Sequence, residues 1–173
     1  GGLLHLRMGR DGSVGHEALT LDPGRLKSLE SHLLLFYTGI VRHAHEVLGE
    51  QIANTKQGSV IGDLTSLGQL AIDGIDCLRS SRPLTDFGDL LHQAWTAKKR
   101  LSSKITSSEI DALYARARGA GAVGGMLLGA GGGGFFLLLA APESHDALVN
   151  ALAPLAVVPF AFESGGSVVA FRA

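Results

Sequence analysis

The 173-residue sequence has little of what marks a secreted or a nucleic-acid-binding protein. Its one cysteine, Cys77, excludes an internal disulfide and is typical of a reducing compartment such as the cytoplasm. The formal net charge is -1, so no overall positive field would attract nucleic acid or an anionic membrane. No secretory signal is visible in the given sequence, which has no initiating methionine and opens at Gly1 in an apolar run. We therefore expect a cytoplasmic domain with neither nucleic-acid nor membrane partners. Its start indicates a chain cut from a longer one, and a trimmed tag would give the same start.

Charge is also missing from a long stretch between Gly119 and Pro142, which on length alone could cross a bilayer. Four consecutive glycines, Gly131 to Gly134, interrupt this stretch, and each costs about 1 kcal/mol in a helix relative to alanine. Transmembrane helices tolerate spaced glycines but not a run of this kind. The stretch is better explained as two strands around a glycine loop.

Hydrophobic patterning predicts strands at both ends of the chain and helices between them, an order that indicates an α+β fold with a mostly antiparallel sheet. Asp22 suits the start of one helix as an N-cap, and Pro23 fits its first turn. The segment from Thr106 to Glu109 forms a T-x-x-E capping box before another helix. The predicted strands are 3–8, 18–21, 33–38, 126–128, 135–139, 155–160 and 167–171, and the predicted helices are 23–30, 40–48, 61–78, 83–95, 106–114 and 142–152.

The strongest chemical signal is the glycine loop, which consists of Gly129, Ala130, Gly131, Gly132, Gly133 and Gly134. Without side chains, backbone N–H groups can approach an anion closely and point together at phosphate oxygens. A dinucleotide-binding loop would open a helix and a Walker loop would end in Gly-Lys-Ser/Thr, and neither context is present. Two interpretations remain open: a phosphate-binding loop, or a wide hairpin turn between buried strands without a ligand.

Four stretches of the sequence resemble the GHMP kinases. The stretch from Gly124 to Phe135 is similar to the family's third conserved motif, with Met126 where the family pattern usually carries Lys. The stretches 36–42, 87–100 and 110–122 also fit, and together they resemble the D-glycero-D-manno-heptose 7-phosphate kinase branch over nearly the whole chain. The resemblance implies that residues 1–173 form a GHMP kinase C-terminal domain, a two-layer sandwich whose mostly antiparallel, ferredoxin-like sheet packs against several helices.

The reaction that the resemblance implies is transfer of the ATP γ-phosphoryl group to a sugar hydroxyl. The family's serine-rich ATP loop and catalytic Asp would precede this chain, since Gly1-Gly2 resembles the pair that follows that Asp. No catalytic residue is therefore expected here, and ATP and Mg²⁺ would bind mainly through the absent N-terminal half. The expected partners are that N-terminal half, a sugar phosphate substrate and a possible second copy of the chain. Such transfer depends chiefly on positioning and charge stabilisation, so the chain alone is not expected to catalyse.

Five polar side chains are candidates for binding the substrate: Thr38, Arg42, Lys98, Lys99 and Arg100. The last three end a predicted helix, where cations interact favourably with the helix dipole, so a solvated structural role is the alternative to phosphate binding. Thr38 and Arg42 follow a buried strand, a location that suits anion contact. A simple N-cap role for Thr38 is equally compatible with the pattern.

No metal site is predicted, because His43 and His45 are two residues apart and would not share a helical face. Trp95 lies on the apolar face of its predicted helix and is expected in the core rather than beneath a sugar ring. Two alternatives to a kinase remain. A free-standing binding domain would bind a sugar phosphate by itself, whereas an association module would bind neither nucleotide nor sugar phosphate.

Overall fold

Two sheets organise residues 1–42 and 44–171, the part of the chain that the computed structural model describes. The smaller sheet is an antiparallel hairpin of β1 (Leu4–Met8) and β2 (Val14–Ala18). The predicted second strand at 18–21 is wrong, because the turn is tight and β2 begins directly after it. In that turn the Gly9 N–H donates to the Ser13 carbonyl at 2.8 Å, so Met8 already pairs with Val14.

The larger sheet contains β3 (Leu33–Tyr37), β4 (Ala122–Leu127), β5 (Phe135–Ala140) and β6 (Ala156–Val157). Its strand order is β4-β5-β3-β6, and all neighbours are antiparallel. This is the order of a ferredoxin-like sheet, which confirms the predicted α+β class. The predicted strand at 155–160 is reduced to β6, which pairs only with the last two residues of β3. The predicted strand at 167–171 is wrong, since that segment has no partner strand in the described part of the chain.

Helices cover this sheet: α1 (Pro23–His32), α2 (Ala44–Gln57), α3 (Ile61–Arg79), α4 (Leu84–Lys99), α5 (Ser108–Gly119) and α6 (His145–Leu152), the last preceded by a 3₁₀ turn at Pro142–Ser144. The Asp22 carboxylate accepts hydrogen bonds from the Gly24 and Arg25 amides, which confirms the predicted start of α1. Among the described residues, no helix has the length and apolar character needed to cross a bilayer.

Two predicted helix starts differ from the structure. The helix predicted from Ile40 is described from Ala44, because the backbone of Thr38 and Ile40 forms hydrogen bonds with the glycine loop instead. The cap of α5 is Ser107, whose hydroxyl accepts the Ile110 N–H at 3.3 Å. Thr106, the predicted cap, donates its hydroxyl to the Asp111 carboxylate at 3.0 Å. Adjacent Thr and Ser residues offer the same capping chemistry, so the sequence pattern could not separate them.

Helix α4 fixes the geometry of the site because it packs unusually close to β4. A Cβ atom added at Gly124 would overlap the carbonyl oxygen of Gly88, and one added at Gly88 would lie 2.8 Å from the Val123 Cβ. Trp95, further along α4, is 0% exposed and lies edge-on to Phe136 with ring centroids 5.9 Å apart. The prediction that Trp95 belongs to the core is confirmed. Its burial and the glycine contact hold α4 against the sheet.

A hydrogen bond between His92 Nδ1 and the Tyr114 hydroxyl, 2.7 Å long, joins α4 to α5 and predicts how stability depends on pH. Burial, and then the Arg118 cation, lower the pKa of His92 from its ordinary 6.5. The unfolded chain therefore binds more protons than the folded one as the pH falls below about 6.5, and stability is lost over that range. We expect the free energy of unfolding to fall between about pH 7 and pH 5.5, and to fall less in His92→Gln. Urea unfolding at several pH values measures both slopes, and equal slopes would contradict the expectation.

Candidate functional site

The glycine loop joins β4 to β5 in a conformation that requires glycine. A hydrogen bond of 2.9 Å from the Leu128 N–H to the Phe135 carbonyl closes the neck of the loop. Side chains strongly disfavour positive φ angles, so these positions accept little besides glycine. Four loop residues have such angles: Gly129 (71°), Gly131 (105°), Gly132 (76°) and Gly134 (93°).

Two amides of the loop are used to anchor it. The Gly132 N–H donates to the Ile105 carbonyl at 2.8 Å, and the Gly134 N–H donates to the Ile40 carbonyl at 2.9 Å. The expectation that the whole run offers its amides to an anion is therefore corrected for these two positions. Four further amides have no hydrogen-bond acceptor among the described residues: those of Gly129, Ala130, Gly131 and Gly133.

Neighbouring backbone approaches the loop so closely that packing also demands glycine. A Cβ atom at Gly133 would overlap the carbonyl oxygen of Ile40, and one at Gly131 would lie 2.9 Å from the Ile105 Cα. Gly132 is similarly confined, because a Cβ atom there would lie 3.2 Å from both the Arg42 side chain and the Lys104 carbonyl oxygen. The loop is thus seated between the segments 38–42 and 104–105, which fix its shape in advance of any ligand.

Thr38 holds the glycine loop in place rather than capping a helix. Its side chain is buried, its hydroxyl donates to the Gly134 carbonyl at 2.8 Å, and its amide donates to the same oxygen at 2.8 Å. The hydroxyl also accepts the Ile40 N–H at 3.3 Å. The N-cap interpretation is wrong, because α2 begins only at Ala44. Substrate binding by Thr38 stays a prediction, although its hydroxyl is already engaged by the loop.

Arg42 is exposed and lies beside the loop. Its aliphatic stem packs near Gly132, and within the described residues its guanidinium has no hydrogen-bond or ion-pair partner. A free guanidinium can bind two phosphate oxygens at once. The predicted pairing of Arg42 with an anion is compatible with this location. His43, which follows it, lies outside the described residues.

The predicted basic cluster at the end of α4 separates into three different environments. Lys99 Nζ lies 2.9 Å from the Asp111 carboxylate of α5, and Arg100 lies 2.7 Å from the Asp63 carboxylate of α3. Lys98 alone of the three contacts the glycine loop, since its Nζ donates to the Leu127 carbonyl at 2.9 Å and to the Gly129 carbonyl at 2.7 Å. Sequence reasoning missed these partners, because no local pattern links α4 to residues that distant along the chain.

Met126 lies on β4 in apolar surroundings. It lines a cleft of about 440 Å³ between the β1–β2 hairpin and helices α3 and α4, together with side chains such as Leu91 and Ala94. Among the described residues that line this cleft there is no lysine, arginine, aspartate or glutamate. The thioether of Met126 therefore packs among hydrocarbon groups, and the lysine that contacts the glycine loop is Lys98.

Comparison with known proteins finds a family model that matches slightly less than half of the chain. The family model described as GHMP kinases C terminal matches residues 76–154, which include α4, α5 and the glycine loop. A curated relative is the bifunctional fucokinase/GDP-fucose pyrophosphorylase of Arabidopsis thaliana, 32% identical over 98 residues. That match covers 56% of this chain and 9% of the Arabidopsis protein.

Two solved structures share the fold. Mevalonate kinase from L. major has a TM-score of 0.68 at 21% identity, over 88% of this chain and 44% of that chain. A D-glycero-D-manno-heptose 1-phosphate kinase from Bacteroides thetaiotaomicron has a TM-score of 0.66 at 22% identity, over 94% of this chain and 42% of that chain. The chain thus spans less than half the length of these structures.

The similar scores of the mevalonate and heptose kinases do not confirm the predicted closeness to the heptose 7-phosphate kinase branch. The predicted fold is confirmed by the antiparallel sheet order and the six helices of the described residues, and it agrees with the partial family match and with the two solved structures. The fold of this chain is that of a GHMP kinase C-terminal domain.

Proposed function

We propose that this domain is the C-terminal half of an ATP-dependent sugar kinase, which transfers a phosphoryl group to a hydroxyl of a sugar similar to heptose 7-phosphate. The observation that carries the proposal is the set of loop amides without an acceptor in the described chain, at Gly129, Ala130, Gly131 and Gly133. Free N–H groups held in a fixed turn form an anion-binding concavity. A hairpin turn without a ligand would not need to leave four neighbouring amides unbonded.

The charges around the loop support phosphate rather than a neutral ligand. Arg42 lies on one side of the loop, and the Lys98 ammonium contacts the first loop residue, Gly129. Both cations lack a carboxylate partner in the ranges 1–42 and 44–171. Preorganised donors and cations that face developing negative charge are the main source of catalysis in phosphoryl transfer.

GHMP kinases use ATP and Mg²⁺, and the donors present here fit the phosphate part of that pair. The loop amides and Arg42 would hold phosphate oxygens, while Mg²⁺ and the catalytic Asp belong, on this proposal, to the N-terminal half. The nucleotide supplies the γ-phosphoryl group when it is bound. The contribution of this chain is to position phosphates and to form one wall of the sugar pocket.

A sugar acceptor is favoured over mevalonate by the sequence relative. The Arabidopsis protein that shares 32% identity with this chain is named a fucokinase, whereas the mevalonate kinase shares 21%. The paired cations Lys99 and Arg100 remain candidates for the sugar's own phosphate, which would have to compete with Asp111 and Asp63 for them. Surface ion pairs of this kind contribute only about 0–1 kcal/mol, so an incoming phosphate could replace them.

The test uses the full-length protein that contains this chain. We expect ADP release from MgATP with a heptose 7-phosphate or a related sugar, no release with mevalonate, and no turnover by residues 1–173 alone. A well-folded full-length protein that releases no ADP with any sugar or sugar phosphate would contradict the proposal. Equal sugar-phosphate affinity of the isolated chain and the full-length protein, measured by calorimetry, would instead favour a free-standing binding domain.

A further inference from the structure

We propose that Lys98 is a positioning residue for the glycine loop: it clamps the start of the loop through two carbonyl groups and keeps an unpaired positive charge beside the free amides. The inference rests on the proposed function, because it assigns that charge to the phosphates of a nucleotide. On this inference, the role of Lys98 is to position the loop and not to contact the sugar phosphate directly.

The clamp follows from where the two hydrogen bonds fall. Lys98 Nζ donates to the carbonyls of Leu127 and Gly129, which are the residues on either side of Leu128. The Leu128 N–H closes the neck of the loop by donating to the Phe135 carbonyl. One ammonium therefore fixes the Leu127–Leu128 peptide group, which itself donates the closing hydrogen bond, and the Gly129–Ala130 peptide group at the start of the loop. Both peptide groups are thereby tied to a different element, α4.

The support behind the clamp is rigid. Helix α4 is held against β4 at Gly88 and Gly124, where no Cβ atom fits, and by Trp95, which is fully buried one turn before Lys98. A side chain on a packed helix holds its target more accurately than one on a mobile loop. The position of the first loop residue, Gly129, is thus set by the core through Lys98.

Within residues 1–42 and 44–171, no carboxylate neutralises the charge of Lys98, unlike the charges of its neighbours. Lys99 and Arg100 each face a carboxylate within 3 Å, whereas no carboxylate of the described chain pairs with Lys98. Lys98 is also partly buried, and burial lowers the pKa of its ammonium. An unpaired cation in a partly buried position is costly, and an arriving anion would relieve that cost.

This arrangement gives the third donor of the ammonium a function. Two of the three N–H groups of Lys98 are used on carbonyls, and no third acceptor lies within hydrogen-bond distance in the part of the chain that is described. A phosphate held by the amides of Gly129 to Gly131 would bring negative charge to the same end of the loop. The ammonium of Lys98 would then have two effects: it holds the two carbonyl groups of the loop, and it attracts the phosphate.

The experiment compares Lys98→Met, Lys98→Arg and Lys27→Met in the full-length protein. Lys27 is an exposed lysine of α1, so its substitution controls for the loss of one charge. We expect Lys98→Met to raise KM for ATP about tenfold or more, because it removes charge-assisted hydrogen bonds, and to leave KM for the sugar unchanged. Lys98→Arg should restore most of the affinity, and Lys27→Met should behave as wild type.

Hydrogen exchange separates positioning from general destabilisation. In Lys98→Met the amides of Leu128, Gly132 and Gly134 should exchange faster than in wild type, while those of α5 remain protected. Unchanged loop exchange together with unchanged KM for ATP would overturn the inference. If Lys98→Met does not fold, the ¹⁵Nζ signal of Lys98 in the wild-type protein decides: it should shift on addition of MgATP, and no shift overturns the inference.

Failure of the inference is distinguishable from failure of the proposed function. A wild-type protein that phosphorylates a sugar, with a Lys98→Met variant of the same KM for ATP and the same loop exchange, would refute only the role of Lys98. A wild-type protein that neither binds nor uses ATP would refute the proposed function, and with it the assignment of the charge to nucleotide phosphates. Faster loop exchange in Lys98→Met would in that case still establish the clamp.

Discussion

Replacing Gly133 with valine is expected to lower kcat/KM for phosphoryl transfer about 100-fold in the full-length protein, the loss typical of a reacting group misplaced by 1 Å. The physical reason is local. A Cβ atom at Gly133 would overlap the carbonyl oxygen of Ile40, which is the acceptor for the Gly134 N–H. The loop must therefore move away from Ile40. Steady-state assays of ADP release at several ATP concentrations measure the effect.

The matched control is Gly68→Ala. Gly68 lies in α3, where an added Cβ meets nothing within 4 Å, and alanine there favours the helix by about 0.5–1 kcal/mol. This variant should keep wild-type kinetics. A Gly133→Val protein that is folded and fully active would show that the seating of the loop against Ile40 has no part in the reaction.

Replacing Gly124 with alanine is expected to lower the free energy of unfolding by about 3 kcal/mol, the upper end of what overpacking usually costs. The added Cβ would overlap the carbonyl oxygen of Gly88, and backbone on both sides leaves no flexible side chain to move. Helix α4 must therefore shift, and Lys98 shifts with it. For a domain of this size each kcal/mol lowers Tm by roughly 2–4 °C, so thermal unfolding followed by circular dichroism detects the change.

Gly119→Ala provides the comparison for that measurement. Gly119 is the last residue of α5, and an added Cβ there meets nothing within 4 Å. Its Tm should equal or slightly exceed that of wild type. An unchanged Tm in Gly124→Ala would show that α4 does not approach β4 as closely as the structure describes.

Local chemistry explains which elements could be predicted from the sequence. Asp22 and Pro23 specify the start of α1 because an N-cap and a first-turn proline act on neighbouring backbone. The strand predicted at 167–171 finds no partner among the described residues, because a short apolar run indicates that a strand would fit but not that a sheet edge is available. The start of α2 was misplaced for a similar reason, since Thr38 and Ile40 bond to the loop.

In the candidate site, too, features set by neighbouring residues could be predicted from the sequence, and contacts between distant residues could not. The glycine run itself predicted a tight backbone approach, and positive φ angles at Gly129 and Gly134 agree with it. Which amides stay free could not be predicted, because the acceptors at Ile40 and Ile105 are brought there by tertiary packing. The same holds for Lys98, whose carbonyl partners lie at separations of 29 and 31 positions along the chain.

The most direct test of the account follows the loop amides while nucleotide binds. In ¹⁵N-glycine-labelled full-length protein, saturation with MgATP should shift the amide signals of Gly129, Gly131 and Gly133, which have no acceptor in the described chain. The signals of Gly132 and Gly134, which are bonded to carbonyls, should change least. Saturating nucleotide that leaves the three free amides at their original positions would contradict the claim that this loop binds phosphate.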